Sequence, residues 1–187
     1  MILVIGLGNP GGQFDGTRHN VGREIAEAFA READGADFRL EKKWNARVTE
    51  AKIGREKIAI LLPDTMMNKS GSAVTPAARF YKIKPKDIFV IHDDADILLG
   101  QAKLSFAKNS AGHKGVESII RALKTKEFWR LRIGIAGKKD VPAERLVLKK
   151  FTPDESRILK KITKKTIAAL HAIAESNPQK AMNEYNQ

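Results

Sequence analysis

Apolar positions repeat at two periods along this chain. Residues 1–7 form an unbroken apolar run that turns into a glycine loop, which predicts a buried strand. In residues 21–31, Val21, Ile25, Ala28 and Phe29 share one helical face. Residues 47–53 and 57–62 flank Gly54-Arg55-Glu56 and predict a hairpin or paired strands. A helix is expected over 68–81, with Pro76 near its first turn or at a kink. Residues 87–92 predict a second buried strand that ends in an acidic cluster, and 102–106 a short one. A glycine-rich segment opens a helix over 112–123. Over 129–135, Leu131, Ile133 and Ile135 alternate with Arg130 and Arg132, the period-two signature of a half-buried strand.

A long amphipathic helix spans 153–174, with Ile158, Leu159, Ile162, Ala169, Leu170 and Ile173 as its core stripe. Its opposite face is basic: Arg157, Lys160, Lys161, Lys164 and Lys165. A short helix with Pro at its first turn follows over 178–185, so helices close the chain through residues 153–185. Strands alternating with helices predict an α/β sandwich, a twisted mixed central sheet flanked by helices. No repeat, low-complexity tract or linker divides the 187 residues, so 1–187 reads as a single domain.

Composition narrows the classes. A chain of this length buries about two-thirds of its unfolded surface and needs no staples. There are no cysteines, which excludes disulfides, thiol nucleophiles and cysteine-ligated zinc. The longest apolar runs, Met1–Ile5 and Ile58–Leu62, fall far short of the ~18 residues that span a bilayer. The start has no basic segment before its apolar run and reads as a core strand rather than a signal peptide. A soluble cytoplasmic protein without a membrane partner is expected. The net charge of +12 points to a polyanion, nucleic acid or an anionic membrane surface. Its distribution sharpens that: residues 101–165 hold 18 Lys/Arg against 6 Asp/Glu, and the remainder holds 16 of each. The whole excess sits in one contiguous third of the chain.

Gly6-Leu7-Gly8-Asn9-Pro10-Gly11 matches the dinucleotide-binding G-x-G-x-x-G directly after a predicted strand. Against that reading, the third glycine continues as loop instead of opening a helix. Pro10 also removes an N–H from a loop that would offer N–H groups to pyrophosphate. The loop still brings Asn9 to the carboxyl end of a central strand, where open α/β sheets build sites. Thr17-Arg18-His19-Asn20 follows, with Asn20 a candidate N-cap. Polar groups also close the next two strands, in Pro63–Gly71 and in His92-Asp93-Asp94-Ala95-Asp96. The acidic run suits a hard cation, although it lacks EF-hand spacing. Alternatively, one carboxylate orients a general-base histidine. No Gly-x-Ser-x-Gly elbow is present, so a hydrolase built from these parts would activate water.

Together these segments resemble bacterial-type peptidyl-tRNA hydrolase over nearly the whole chain. They comprise Gly6–Gly11, Thr17–Asn20 with Gly22, Pro63–Gly71, His92–Asp96 with Gly100, Ser110–Gly115 with Ser118-Ile119-Ile120, Phe128 with Arg130–Ile135, and Gln179–Asn183. The resemblance implies cleavage of the ester joining an N-blocked aminoacyl or peptidyl group to the 3′ end of tRNA, without cofactor or metal. By the same resemblance His19 is the general base, Asp93 orients it, and Asn9 binds at the reacting end. Phe14, Met67, Asn68, His113 and Lys114 match substrate-contacting positions, and a lid covers about 108–115. Arg132 matches a grip on the tRNA 5′-phosphate, with Lys103 or Lys108 as its basic partner. The implied partner is the acceptor arm and 3′ end of peptidyl-tRNA, bound by a monomer.

The chain departs from the family pattern at four points. Lys114 stands where the family has Asn, Phe14 where it has Tyr, Lys108-Asn109-Ser110 where the lid is glycine-rich, and Ser105 where the phosphate clamp often has Lys. Lys114 keeps a second expectation open, a tRNA- or RNA-binding relative of the same fold with little hydrolysis.

Overall fold

In the computed structural model, which describes residues 1–137 and 141–186, seven strands form one mixed sheet. The strands are β1 (Ile2–Gly6), β2 (Arg39–Glu41), β3 (Ala46–Ile53), β4 (Glu56–Pro63), β5 (Ile88–Leu98), β6 (Ala102–Phe106) and β7 (Trp129–Ala136). The helices are α1 (Val21–Glu32), α2 (Ser70–Phe80), α3 (Lys114–Leu123), α4 (Ala143–Leu146), α5 (Pro153–Glu175) and α6 (Pro178–Tyr185). The strand order is β2-β3-β4-β1-β5-β7-β6. The four inner strands run parallel, with Val4 opposite Ile60 and Phe89, and Phe89 opposite Trp129. The outer strands β2, β3 and β6 pair antiparallel to their neighbours.

This order fixes where a site can form. From β1 the chain leaves toward β4 on one side and returns through α2 to β5 on the other. The crevice outside the carboxyl ends of β4, β1 and β5 is therefore a switch point, where backbone groups at the strand ends lack partners in the sheet. Each face of the sheet has its own core. One joins Val4, Ile60 and Ile91 to Ile25 and Phe29 of α1 and Leu170 of α5. The other joins Leu3, Ile5 and Val90 to Ala73 and Val74 of α2 and Val116 and Ile119 of α3. Phe29 is fully buried, and truncating it to Ala would cost about 3–5 kcal/mol. Helix α1 lies unusually close to β5, because a Cβ on Gly22 would stand 2.2 Å from the carbonyl oxygen of Ile91. That contact brings the residues just before α1 over the end of β5.

The structure differs from the periodicity at identifiable places. Strand β5 does not stop at His92 but carries the acidic cluster on to Leu98, since β7 keeps pairing with it through Asp94. Edge strand β2 and the single turn of α4 are too short to leave a periodic signal. Pro76 lies inside α2 rather than in its first turn; the carbonyl it leaves unbonded belongs to exposed Ser72. On α5, Ile158 is 40% exposed, outside the core stripe, whereas Thr166 is buried because its hydroxyl bonds the Ile162 carbonyl and the Tyr185 hydroxyl. Arg130, on the polar side of the strand read as half-buried, is only 2% exposed.

Candidate active site

The loop after β1 is pinned by Asn20. The Asn20 amide accepts the Asn9 N–H at 2.8 Å and donates to the Asn9 carbonyl at 2.9 Å. Asn20 does occupy the N-cap position of α1, but its side chain does not cap the helix; it holds the glycine loop instead. The Asn9 side chain is fixed in turn, since its Oδ1 accepts the Met67 N–H at 2.8 Å. With Oδ1 committed, Nδ2 is the donor that Asn9 has left for the cleft it lines. His19 sits one residue before Asn20 on a short 3₁₀ turn. Its N–H bonds the Val147 carbonyl, and neighbouring Arg18 is held by Glu155 at 2.7 Å, the same carboxylate that completes the capping box of α5.

Asp93 is 2% exposed and stands between two histidines. His19 Nδ1 lies 2.9 and 3.0 Å from its two oxygens, and His113 Nε2 lies 2.8 Å from Oδ1. Burial alone would push this carboxyl up; His113 and His19 together outweigh burial and hold it well below the usual carboxylate range. An ionised carboxylate only accepts, so His19 donates from Nδ1–H and keeps Nε2 as a bare acceptor. His92 packs behind the pair, its ring 4.7 Å from that of His113, and donates from Nδ1–H to the Asp93 carbonyl at 2.7 Å. Complete burial, then the proximity of His113 and Arg130, holds His92 well below its ordinary value and keeps it neutral.

These groups lie along a cavity of about 480 Å³. Asn9, His19, Met67, Asn68, Asp93, His113 and Lys114 all line it, so the structure gathers most of the residues singled out in the sequence. Gly115 leaves the space that Met67 fills, for a Cβ there would meet the Met67 sulfur. Phe14 is not among the lining residues; it lies in the turn that precedes His19. Lys103, Lys108 and Arg132 also lie outside the cavity. Lys103 and Arg132 face each other across β6 and β7, and Ser105 pairs instead with buried Arg130. Arg132 is not free: its Nε donates to Asp94 at 2.6 Å. The apolar wall draws Met66 and Ala95 from segments already singled out, whereas Val147 and Leu148 carried no sequence signal because they lie between the predicted elements.

One ring atom each from His19 and His113 and one Asp93 oxygen lie within 4.8 Å of one another, close enough to hold a cation. The hydrogen bonds oppose that use. His113 Nδ1 accepts the N–H groups of Gly115 and Val116, which places the ring proton on Nε2, the atom that would have to coordinate.

The fold and the cleft define an α/β enzyme with a histidine–carboxylate pair at the carboxyl ends of its parallel strands. Comparison with known proteins makes this specific. The chain belongs to the peptidyl-tRNA hydrolase family, whose family model, described as Peptidyl-tRNA hydrolase, matches residues 3–187. It is 42% identical to a peptidyl-tRNA hydrolase of Desulfitobacterium hafniense, over the full length of both chains. It is 37% identical to that of Mycobacterium tuberculosis strain H37Rv, covering 97% of this chain and 95% of the relative. A crystal structure of peptidyl-tRNA hydrolase from Acinetobacter baumannii superposes with a TM-score of 0.92 at 30% identity, covering 100% and 94% of the two chains. Among the described residues, no helix is long and apolar enough to cross a membrane.

Proposed function

We propose that the cleft hydrolyses the ester between a peptidyl or N-blocked aminoacyl group and the 3′ end of tRNA, using a water activated by His19. The observation that carries this is the pairing of His19 Nδ1 with the buried Asp93 carboxylate, which leaves Nε2 as the only bare ring nitrogen of His19. Water bound at Nε2 gives its proton to the ring as its oxygen attacks the ester carbonyl. Asp93 stabilises the imidazolium that forms and holds its orientation. Charge gathering on the carbonyl oxygen meets the Asn9 Nδ2 donor, which is already fixed by Met67 and needs no reorganisation. The intermediate then collapses. The ribose oxygen leaves with the proton from His19, and the products are a tRNA hydroxyl and a peptide carboxylic acid, which then ionises.

The cleft walls suit the two ends of this substrate. Met66, Met67, Ala95, Val147 and Leu148 offer an apolar surface to a peptidyl chain, and Asn68 offers an amide to its backbone. Outside the cleft, Lys103, Lys108 and Arg132 lie on or beside β6 and β7, where an acceptor arm would pass if its 3′ end reached His19. A phosphate there would share Arg132 with Asp94.

Incubation with N-acetyl-aminoacyl-tRNA, with and without EDTA, tests the reading. Release of the N-acetyl amino acid at equal rates in both is expected. Tight tRNA binding with no release would overturn it, and loss of release in EDTA would overturn the metal-free chemistry.

A further inference from the structure

We infer that His113 is a positioning residue that couples the first turn of α3 to the Asp93 carboxylate, and that it makes no ring contact with substrate. The inference rests on His19 acting as the base. Backbone N–H groups can only donate, and two of them, from Gly115 at 3.1 Å and Val116 at 3.3 Å, aim at His113 Nδ1. Nδ1 must therefore present its lone pair, and the neutral ring carries its proton on Nε2. That N–H donates to Asp93 Oδ1 at 2.8 Å. Both ring nitrogens are then spent on the protein, one as the N-cap of α3 and one on the carboxylate.

The same Oδ1 receives Nδ1–H of His19 at 2.9 Å. One carboxylate thus faces two histidines in opposite tautomers. A proton on Nδ1 would point at two backbone N–H groups, so the contacts that cap the first turn of α3 require this atom bare. The other groups around the ring add to this constraint. His92 on β5 packs edge-on at 4.7 Å and is held neutral by burial, His19 lies at 5.1 Å, and Lys114 and Glu117 follow on α3 itself. Of the three histidines around Asp93, only His19 has a bare nitrogen on the cleft. Positive charge that develops during the reaction is directed onto the ring that touches the water. By the same route, the placement of the loop before α3 is tied to the ionic state of the dyad.

Three measurements test this on the full chain. Nitrogen-15 NMR of the imidazoles should show His113 as the Nε2–H tautomer and His19 as the Nδ1–H tautomer; His113 in the Nδ1–H form would overturn the inference. His113→Asn puts an oxygen where Nδ1 caps the helix but cannot reach Asp93. It should stay folded with a melting temperature lower by only a few degrees, keep the wild-type KM, lower kcat roughly tenfold, and move the acid limb of kcat/KM to higher pH, as Asp93 then leans on His19 alone. His113→Gln, whose amide nitrogen reaches toward Asp93, should recover much of that kcat. A raised KM with kcat unchanged in the Asn variant would mark a substrate contact instead, and a wild-type pH profile would remove the coupling. If the wild-type protein released no acyl group, the reading of His19 would fail, while the tautomer measurement would still decide the link between α3 and Asp93.

Discussion

Residues 1–100 and residues 101–165 contribute to this enzyme in opposite ways. The first hundred carry 15 Lys/Arg against 14 Asp/Glu, close to neutral, and supply Asn9, His19 and Asp93. The second stretch carries 18 against 6; it sends His113 and Lys114 into the cleft, but its Lys103, Lys108 and Arg132 do not line it. In the first region the charges cancel, and Asn9, His19 and Asp93 are each held by named hydrogen bonds. In the second it is abundant and largely solvated, as on α5, where Lys160, Lys161 and Lys164 are exposed. On the proposed reading chemistry and substrate capture are separable, one dependent on hydrogen-bond geometry and the other on summed Coulomb attraction.

The sharpest way to break that separation is Asp93→Asn. The amide cannot accept the His19 and His113 donors as the carboxylate does, and turnover should fall by roughly a thousandfold or more, with tRNA affinity within about twofold of wild type. A comparable loss of affinity, read by filter binding, would merge the two regions. Salt acts on the other side. If Lys103, Lys108 and Arg132 neutralise three phosphates, affinity should weaken about thirtyfold between roughly 50 and 200 mM salt, with kcat nearly constant. Replacing Lys103 or Lys108 by Ala should lower the slope of log affinity against log salt by about one each. A salt-insensitive affinity would remove the electrostatic half of the account.

Lys114 straddles the boundary. It opens α3, is exposed, lines the main cavity and a side cavity of about 330 Å³, and forms no ion pair among the described residues. Lys114→Asn should raise turnover about two- to threefold while weakening tRNA binding by a similar factor. An unchanged or lower kcat would show that the lysine does not hinder the chemistry.

The smallest effect is on stability. The folded-state value of His92 lies well below 6.5, so from about pH 6.5 downward the unfolded chain takes up a proton that the folded chain refuses. His92 should thus lower stability progressively as pH falls below about 6.5 and cost nothing above it. The depressed carboxyl of Asp93 adds stability that is lost only below about pH 4. Urea unfolding between pH 7.5 and 5 should show the first slope, and His92→Gln should lack it. Equal slopes would contradict the assignment.

Much of this was legible in the sequence, and the gaps have physical causes. The continuous apolar runs of β1 and β4 mark strands buried on both faces, and the glycine loop, Thr17–Asn20 and the acidic cluster each pointed to a segment that reaches the cleft. Asn20 misled because its residue type suits both a helix cap and a loop clamp, and only the tertiary contact with Asn9 decides between them. The tautomer of His113 was hidden because it depends on N–H groups whose direction exists only once α3 has formed. The arginines of β7 read as one solvent face, whereas the fold buries Arg130 and pairs Arg132 with Asp94.

The most direct test of the central claim takes His19→Ala alone and measures two quantities on the same preparation: single-turnover release of N-acetyl amino acid from its tRNA, and equilibrium affinity for that tRNA. The account predicts that release falls by at least about a thousandfold while affinity stays within roughly twofold of wild type. Release that persists in the variant, or affinity that collapses with it, would contradict the division between a neutral catalytic half and a basic binding third.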